Sequence, residues 1–111
     1  MKLSDIKGDR VLDVIAELVV PIANIAMDEN AARLFKRETL PEGKTAKAFV
    51  IERFKAGIPP LIKEHKSDLV CILATLEGVT AEEYLDNMTL VKLTKDFMDL
   101  ITDDAVLDLF I

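Results

Sequence analysis

The sequence predicts an all-α fold, a compact bundle of about seven short helices with no sheet. Three observations predict it. Apolar residues recur at steps of three and four along most of the chain. Capping residues and glycine stops divide that pattern into short pieces. No stretch alternates with period two, and no Asn-Gly or Asp-Gly turn is present. The 111 residues suit one domain spanning 1–111. Half of the residues are apolar but only 5% are aromatic, so Leu, Ile, Val and Ala must build the core.

The first helix is expected from Asp9 to about Met27. Val11, Ile15, Leu18, Ile22 and Ile25 share one face, and Leu12, Val19 and Ala26 widen it. Pro21 lies inside this pattern and lacks the N–H that would bond the Glu17 carbonyl, so a kink or break is expected there. Asp28-Glu29-Asn30 reads as the next start, for a short helix to about Lys36 that buries Ala31, Leu34 and Phe35. Arg37 to Thr45 has Pro41 and Gly43 and no periodicity, which reads as a surface loop.

Thr45 can cap a helix whose face carries Ala46, Phe49, Val50 and Phe54. Lys44, Lys47 and Lys55 line another face. Gly57 reads as its stop, and Pro59-Pro60 as the opening of a short helix through Leu61 and Ile62. Ser67 reads as the cap of the most apolar helix, Asp68 to Glu77, which is apolar nearly all round and so expected at the centre. Gly78 would end it. Thr80-Ala81-Glu82-Glu83 matches a capping box for a helix to about Asn87. Thr89 caps another, with Leu90, Leu93, Phe97 and Ile101 on one face. Thr102-Asp103-Asp104 starts the last, Ala105 to Phe110.

Charge narrows the function classes. The net charge is −6. Met1 to Val79 holds 12 acidic and 12 basic side chains, and Thr80 to Ile111 holds 8 and 2. Arg33 to Lys66 carries 9 bases against 4 acids, yet the acidic whole argues against nucleic acid, which needs clustered Lys and Arg. No apolar run approaches the ~20 residues that span a bilayer, and Met1 to Asp5 lacks a signal-like apolar stretch. With the single Cys71 unable to form an internal disulfide, a cytoplasmic location and no membrane partner are expected.

Tests for chemistry give no catalytic, cofactor or metal site, so the chain is not expected to be an enzyme. His65 and Cys71 are six apart with Ser67 between them and no evident third group. Cys71, among Leu69, Val70, Ile72 and Leu73, reads as a small apolar core residue. His65, between Glu64 and Lys66, reads as a surface residue. One Cys and one His cannot supply the usual zinc ligands. Asp28-x-Asn30 begins like a calcium loop, but Ala32 and Arg33 replace the oxygen ligand and glycine. Asp96, Asp99 and Asp103 could hold a hard cation with Asp104, but the preferred reading is a solvated face. The four glycines are scattered, so no phosphate loop exists.

An interaction surface remains. Leu109, Phe110 and Ile111 end the chain; they either dock on its own core or anchor a partner or a second copy. The stripe of Lys44, Lys47 and Lys55 opposite the acidic C-terminal third could steer head-to-tail self-association into a homo-oligomer.

Several stretches together resemble a known family. They are Met1 to Gly8 followed by Val14-Ile15-Ala16, Leu40-Pro41-Glu42-Gly43 leading to Ala48-Phe49, and Leu69 to Val79 with Tyr84. Leu90 to Leu93 and the Thr-Asp-Asp start at Thr102 complete the set. The chain so resembles the tail assembly chaperones of siphophages and prophages of Gram-positive bacteria. The resemblance implies a non-enzymatic helical protein of the bacterial host cytoplasm that coats the long tape-measure protein and helps recruit tail-tube subunits. It also implies that this chain would be the short form of a frameshifted pair. It carries over no site residue. The alternative is a small helical regulatory adaptor that binds one globular protein.

Overall fold

The computed structural model describes residues 3–35 and 42–110. Among them are seven α-helices and no strand: α1 (Asp9–Ala26), α2 (Glu29–Ala32), α3 (Ala46–Glu64), α4 (Lys66–Glu77), α5 (Ala81–Asn87), α6 (Leu90–Ile101) and α7 (Asp104–Leu109). Short 3-10 turns cover Leu3–Asp5 and Arg33–Phe35. The all-α bundle expected from periodicity is the fold observed. None of the described helices is long and apolar enough to cross a membrane.

Side-chain caps set most helix starts, as the sequence signals. Thr45, Thr80 and Thr89 accept hydrogen bonds from the N–H groups of Ala48, Glu83 and Lys92, each at 3.1 Å. Asp28 caps α2 through Asn30 N–H at 3.1 Å, and Asp103 caps α7 through Ala105 N–H at 3.1 Å. Gly78 ends α4 in the left-handed conformation, φ 82°. Its N–H and that of Val79 donate to the carbonyls of Thr75 and Ala74, which satisfies the last turn.

α4 lies at the centre, as its all-round apolarity predicts, and packs against α1, α3, α5 and α6. Its Ile72, Leu73 and Leu76 join Leu18 and Ile25 of α1, Leu61 of α3 and Leu100 of α6 in one core. Tyr84 of α5 and Val106 of α7 are fully buried within it. The molecule measures 45 × 28 × 24 Å.

Four expectations are corrected. The break expected at Pro21 does not form: α1 continues through it to Ala26, with the Pro21 ring buried beside Ile22 and Ile25. Gly57 does not stop a helix: α3 continues through it and through Pro59 and Pro60 to Glu64. The glycine is there for close approach, since a Cβ at residue 57 would lie 2.5 Å from Leu34 Cγ. Ser67 is not the cap of α4; His65 takes that position, between α3 and α4. The Asp96–Asp103 face is not simply solvated, because both end residues of that set bond inside the fold. Asp103 is 1% exposed, and besides capping α7 it accepts hydrogen bonds from the backbone N–H of Leu3 and Ser4. It thereby pins the N-terminal turn to α7. Lys36 and the greater part of the expected Arg37–Thr45 loop, through Pro41, lie outside the described residues.

Candidate protein-binding groove

α3 and α6 both pack on α4, and an apolar groove of about 300 Å³ opens between them. Phe54, Ile58 and Ile62 form the α3 wall, one residue per helical turn. Leu90, Leu93, Phe97 and Met98 form the α6 wall, and Leu61 and Leu69 lie beneath. Thr94 is the only lining residue with a polar side chain. Phe54 and Phe97 meet edge to face at 6.4 Å and 72°, bridging the walls.

The rim is unusually apolar for a water-facing surface. Leu90 is 81% exposed, and Ile62 and Met98 of the lining also face solvent. Contiguous exposed apolar area of this kind marks an interaction site more often than single exposed residues do. Each wall spans nine residues, about 12 Å at the helical rise. The groove therefore matches about two turns of a third helix laid in it, read as anchors at i, i+3, i+4 and i+7. The sequence carries its signal: Leu90, Leu93, Phe97 and Phe54 each lie on an apolar helix face. What the sequence does not supply is that Phe54 and Phe97 meet while Ile62, Leu90 and Met98 stay exposed.

None of the basic-stripe residues lines this groove. Lys44, Lys47 and Lys55 are exposed on and just before α3, and Lys55 follows Phe54 of the groove wall. Lys44, just before α3, already pairs with Glu52 on that helix. The C-terminal anchors separate. Phe110 stacks on Phe35 with centroids 4.5 Å apart, 6° from parallel, so its ring docks on the chain's own core. Leu109 is 39% exposed beside α1, and Ile111 lies outside the described residues.

Two polar networks brace the scaffold. Asp96 of α6 accepts from the Tyr84 hydroxyl at 2.7 Å and pairs with Lys92 at 3.2 Å, and Lys92 also pairs with Glu77 of α4. Burial and then the Asp96 contact push the Tyr84 hydroxyl well above its ordinary pKa. Burial works against ionised Asp96, but the bonds from Tyr84 and Lys92 outweigh it and lower its pKa. The other network corrects the reading of His65 as a surface residue. Its side chain is 12% exposed, with Nε2 2.9 Å from Asp28 and Nδ1 3.3 Å from Asp68. Asn24 of α1 donates to Asp68 at 3.1 Å, so the cluster ties the end of α1 to the α3–α4 corner. Burial opposes the imidazolium, yet the two carboxylates raise its pKa; Asp28 is lowered, chiefly by its bond to His65.

The same corner brings donor atoms of Asp28, Glu64 and His65 within 4.8 Å of one another, a carboxylate–imidazole set that the Cys/His count did not consider. Asp28 and Asp68 already engage both ring nitrogens, so the arrangement is accounted for as an ion-paired clamp. Cys71 is partly buried on α4 and 6 residues from His65 in sequence, and no bond joins them among the described residues. Comparison with protein families, curated proteins and solved structures returns no match for this chain.

Proposed function

We propose that this chain is a non-enzymatic binding protein that holds an amphipathic helix in the α3–α6 groove, acting as a phage or prophage tail assembly chaperone. The observation that carries the reading is the groove itself, open, about 300 Å³ and lined almost wholly by apolar side chains. Its occupant is a segment of the long helical tape-measure protein, with tail-tube subunits recruited later. The assignment to tail assembly comes from the sequence resemblance; the geometry supports the helix-holding step.

The size of the footprint suits that role. Two turns of helix bury little area, so one copy binds weakly and lets go readily. A long helical client offers many such segments, and many weak copies along it would keep its apolar face from aggregating.

The test is co-expression with the candidate tape-measure protein. The chain is expected to co-purify with it and raise its soluble yield. Leu90→Asp with Met98→Asp places two charges on the rim at exposed positions, leaves the core untouched, and should abolish both effects. Co-purification that survives this double substitution would remove the groove from the account. Absence of any co-purification by the unaltered chain would remove the tape-measure assignment.

A further inference from the structure

The ion-paired clamp at the α3–α4 corner uses His65, Asp28 and Asp68, and it leaves one group over. Glu64, the last residue of α3, is exposed, yet its carboxylate converges with Asp28 and His65, donor atoms of the three lying within 4.8 Å of one another. Among the described residues Glu64 has no hydrogen bond or ion pair of its own, and none of Asp28, Glu64 and Asp68 pairs with a lysine or arginine. Three carboxylates therefore share one imidazole. The corner keeps an excess of two negative charges even when the ring is protonated, and a dication would offset it.

We propose that Asp28, Glu64 and His65 form a binding site for a zinc ion, with Asp68 and Asn24 orienting the imidazole from behind. Asp28 is held in place: its Oδ1 caps α2 through the N–H groups of Asn30 at 3.1 Å and Ala31 at 3.4 Å, while its Oδ2 lies 2.9 Å from His65 Nε2. On the other side of the ring, Nδ1 lies 3.3 Å from Asp68, and Asn24 donates to Asp68 at 3.1 Å. A ligating histidine gives its second ring N–H to a carboxylate in this way, which fixes its tautomer and its plane. Nε2 is then the nitrogen that exchanges its proton for metal.

The spacing suits the ion. Bonds of about 2.0–2.1 Å in a tetrahedral site put neighbouring donors roughly 3.4 Å apart. The Asp28–His65 pair is already close to that, and Glu64, at the surface and unpaired, closes the remainder by rotating its side chain. Water completes the fourth position. The imidazole nitrogen selects zinc over Ca²⁺ and Mg²⁺, which prefer oxygen donors. Counting only Cys and His discounts zinc in this chain, because two of the three ligands are carboxylates and Asp28 is distant in sequence. The ion would staple the start of α2 to the end of α3, a structural role that does not rest on the α3–α6 groove.

Calorimetric titration of the full chain, stripped with EDTA and dialysed, with zinc chloride is the test. One site with a dissociation constant in the micromolar range is expected, with a melting temperature that climbs as zinc is added. Magnesium chloride at about 1 mM, far above that range, should do neither. Glu64→Gln lies outside the clamp, so it should leave the metal-free melting temperature unchanged while weakening zinc on the order of 10-fold or more. His65→Gln should abolish binding, and Cys71→Ser should leave it as in the unaltered chain. No binding at about 1 mM zinc overturns the proposal, as that lies well beyond a micromolar constant. So does binding indifferent to Glu64→Gln, or binding lost with Cys71→Ser.

Discussion

Replacing Gly57 by alanine separates two roles that a glycine can have in a helix. If Gly57 were only a flexible break, alanine would favour the helix by up to about 1 kcal/mol. The packing says otherwise. The new Cβ would lie 2.5 Å from Leu34 Cγ and 2.9 Å from both of its terminal carbons. Leu34 is 3% exposed in the 3-10 turn against α3, so its whole branched end must shift within a filled core. Overpacking of this kind costs about 1–3 kcal/mol, which exceeds the propensity gain. A net loss of about 1–2 kcal/mol is expected, a fall in melting temperature of roughly 4–10 °C for a domain of this size. Urea denaturation followed at 222 nm measures it. The sharper assay is a double-mutant cycle. With Leu34→Ala the obstructing carbons are gone, so Gly57→Ala should become neutral or stabilising in that background. A stabilising Gly57→Ala in the unaltered chain, or no coupling to Leu34, would refute the close-approach argument.

Other residues give further outcomes. Asp103→Ala removes the acceptor for Leu3, Ser4 and Ala105 N–H groups, and should cost about 2–4 kcal/mol in urea denaturation while speeding amide exchange at Leu3 and Ser4. Tyr84→Phe should lose about 1–2 kcal/mol with the bond to Asp96, and Tyr84 in the unaltered chain should stay un-ionised by ultraviolet titration past its ordinary value of 10.0. The His65 clamp contributes fully below the unfolded imidazole value of 6.5 and above the unfolded carboxyl value of 3.8. That contribution fades as pH rises through the raised folded pKa of His65, and again as pH falls through the lowered folded pKa of Asp28. Melting temperature should therefore be highest between these limits, and His65→Gln should flatten the decline on the alkaline side.

Local signals in this sequence predicted local structure closely. Thr45, Thr80 and Thr89 cap the helices that their positions suggested, because capping is decided within four residues. Gly78 stops α4 for the same reason. Gly57, Pro59 and Pro60 misled, because their local preference for a break is overridden by the packing of α3 on Leu34 and α4. His65 and Asp28 are 37 positions apart, so their pairing was invisible until the α3–α4 corner met the end of α1. Asp103 reads locally as a helix start, which it is, while its bonds to Leu3 and Ser4 span the whole chain. The groove is half legible: both apolar faces show in the periodicity, but that Ile62, Leu90 and Met98 stay exposed beside the Phe54–Phe97 contact is a property of how two helices sit on a third. Leu12, Val19 and Ala26 read as part of the broad apolar face of α1 yet lie exposed, since periodicity alone does not show which apolar residues remain outside.

The central claim is that the α3–α6 groove takes a helix. Amide and methyl chemical shifts of the isotopically labelled chain, titrated with a two- to four-turn amphipathic segment of the candidate tape-measure protein, test it most directly. The account predicts shifts concentrated at Ile58, Ile62, Leu90, Leu93 and Met98, saturating at a weak affinity and absent with Leu90→Asp plus Met98→Asp. Shifts confined to Leu12, Val19 and Leu109, or none at saturating peptide, would contradict it.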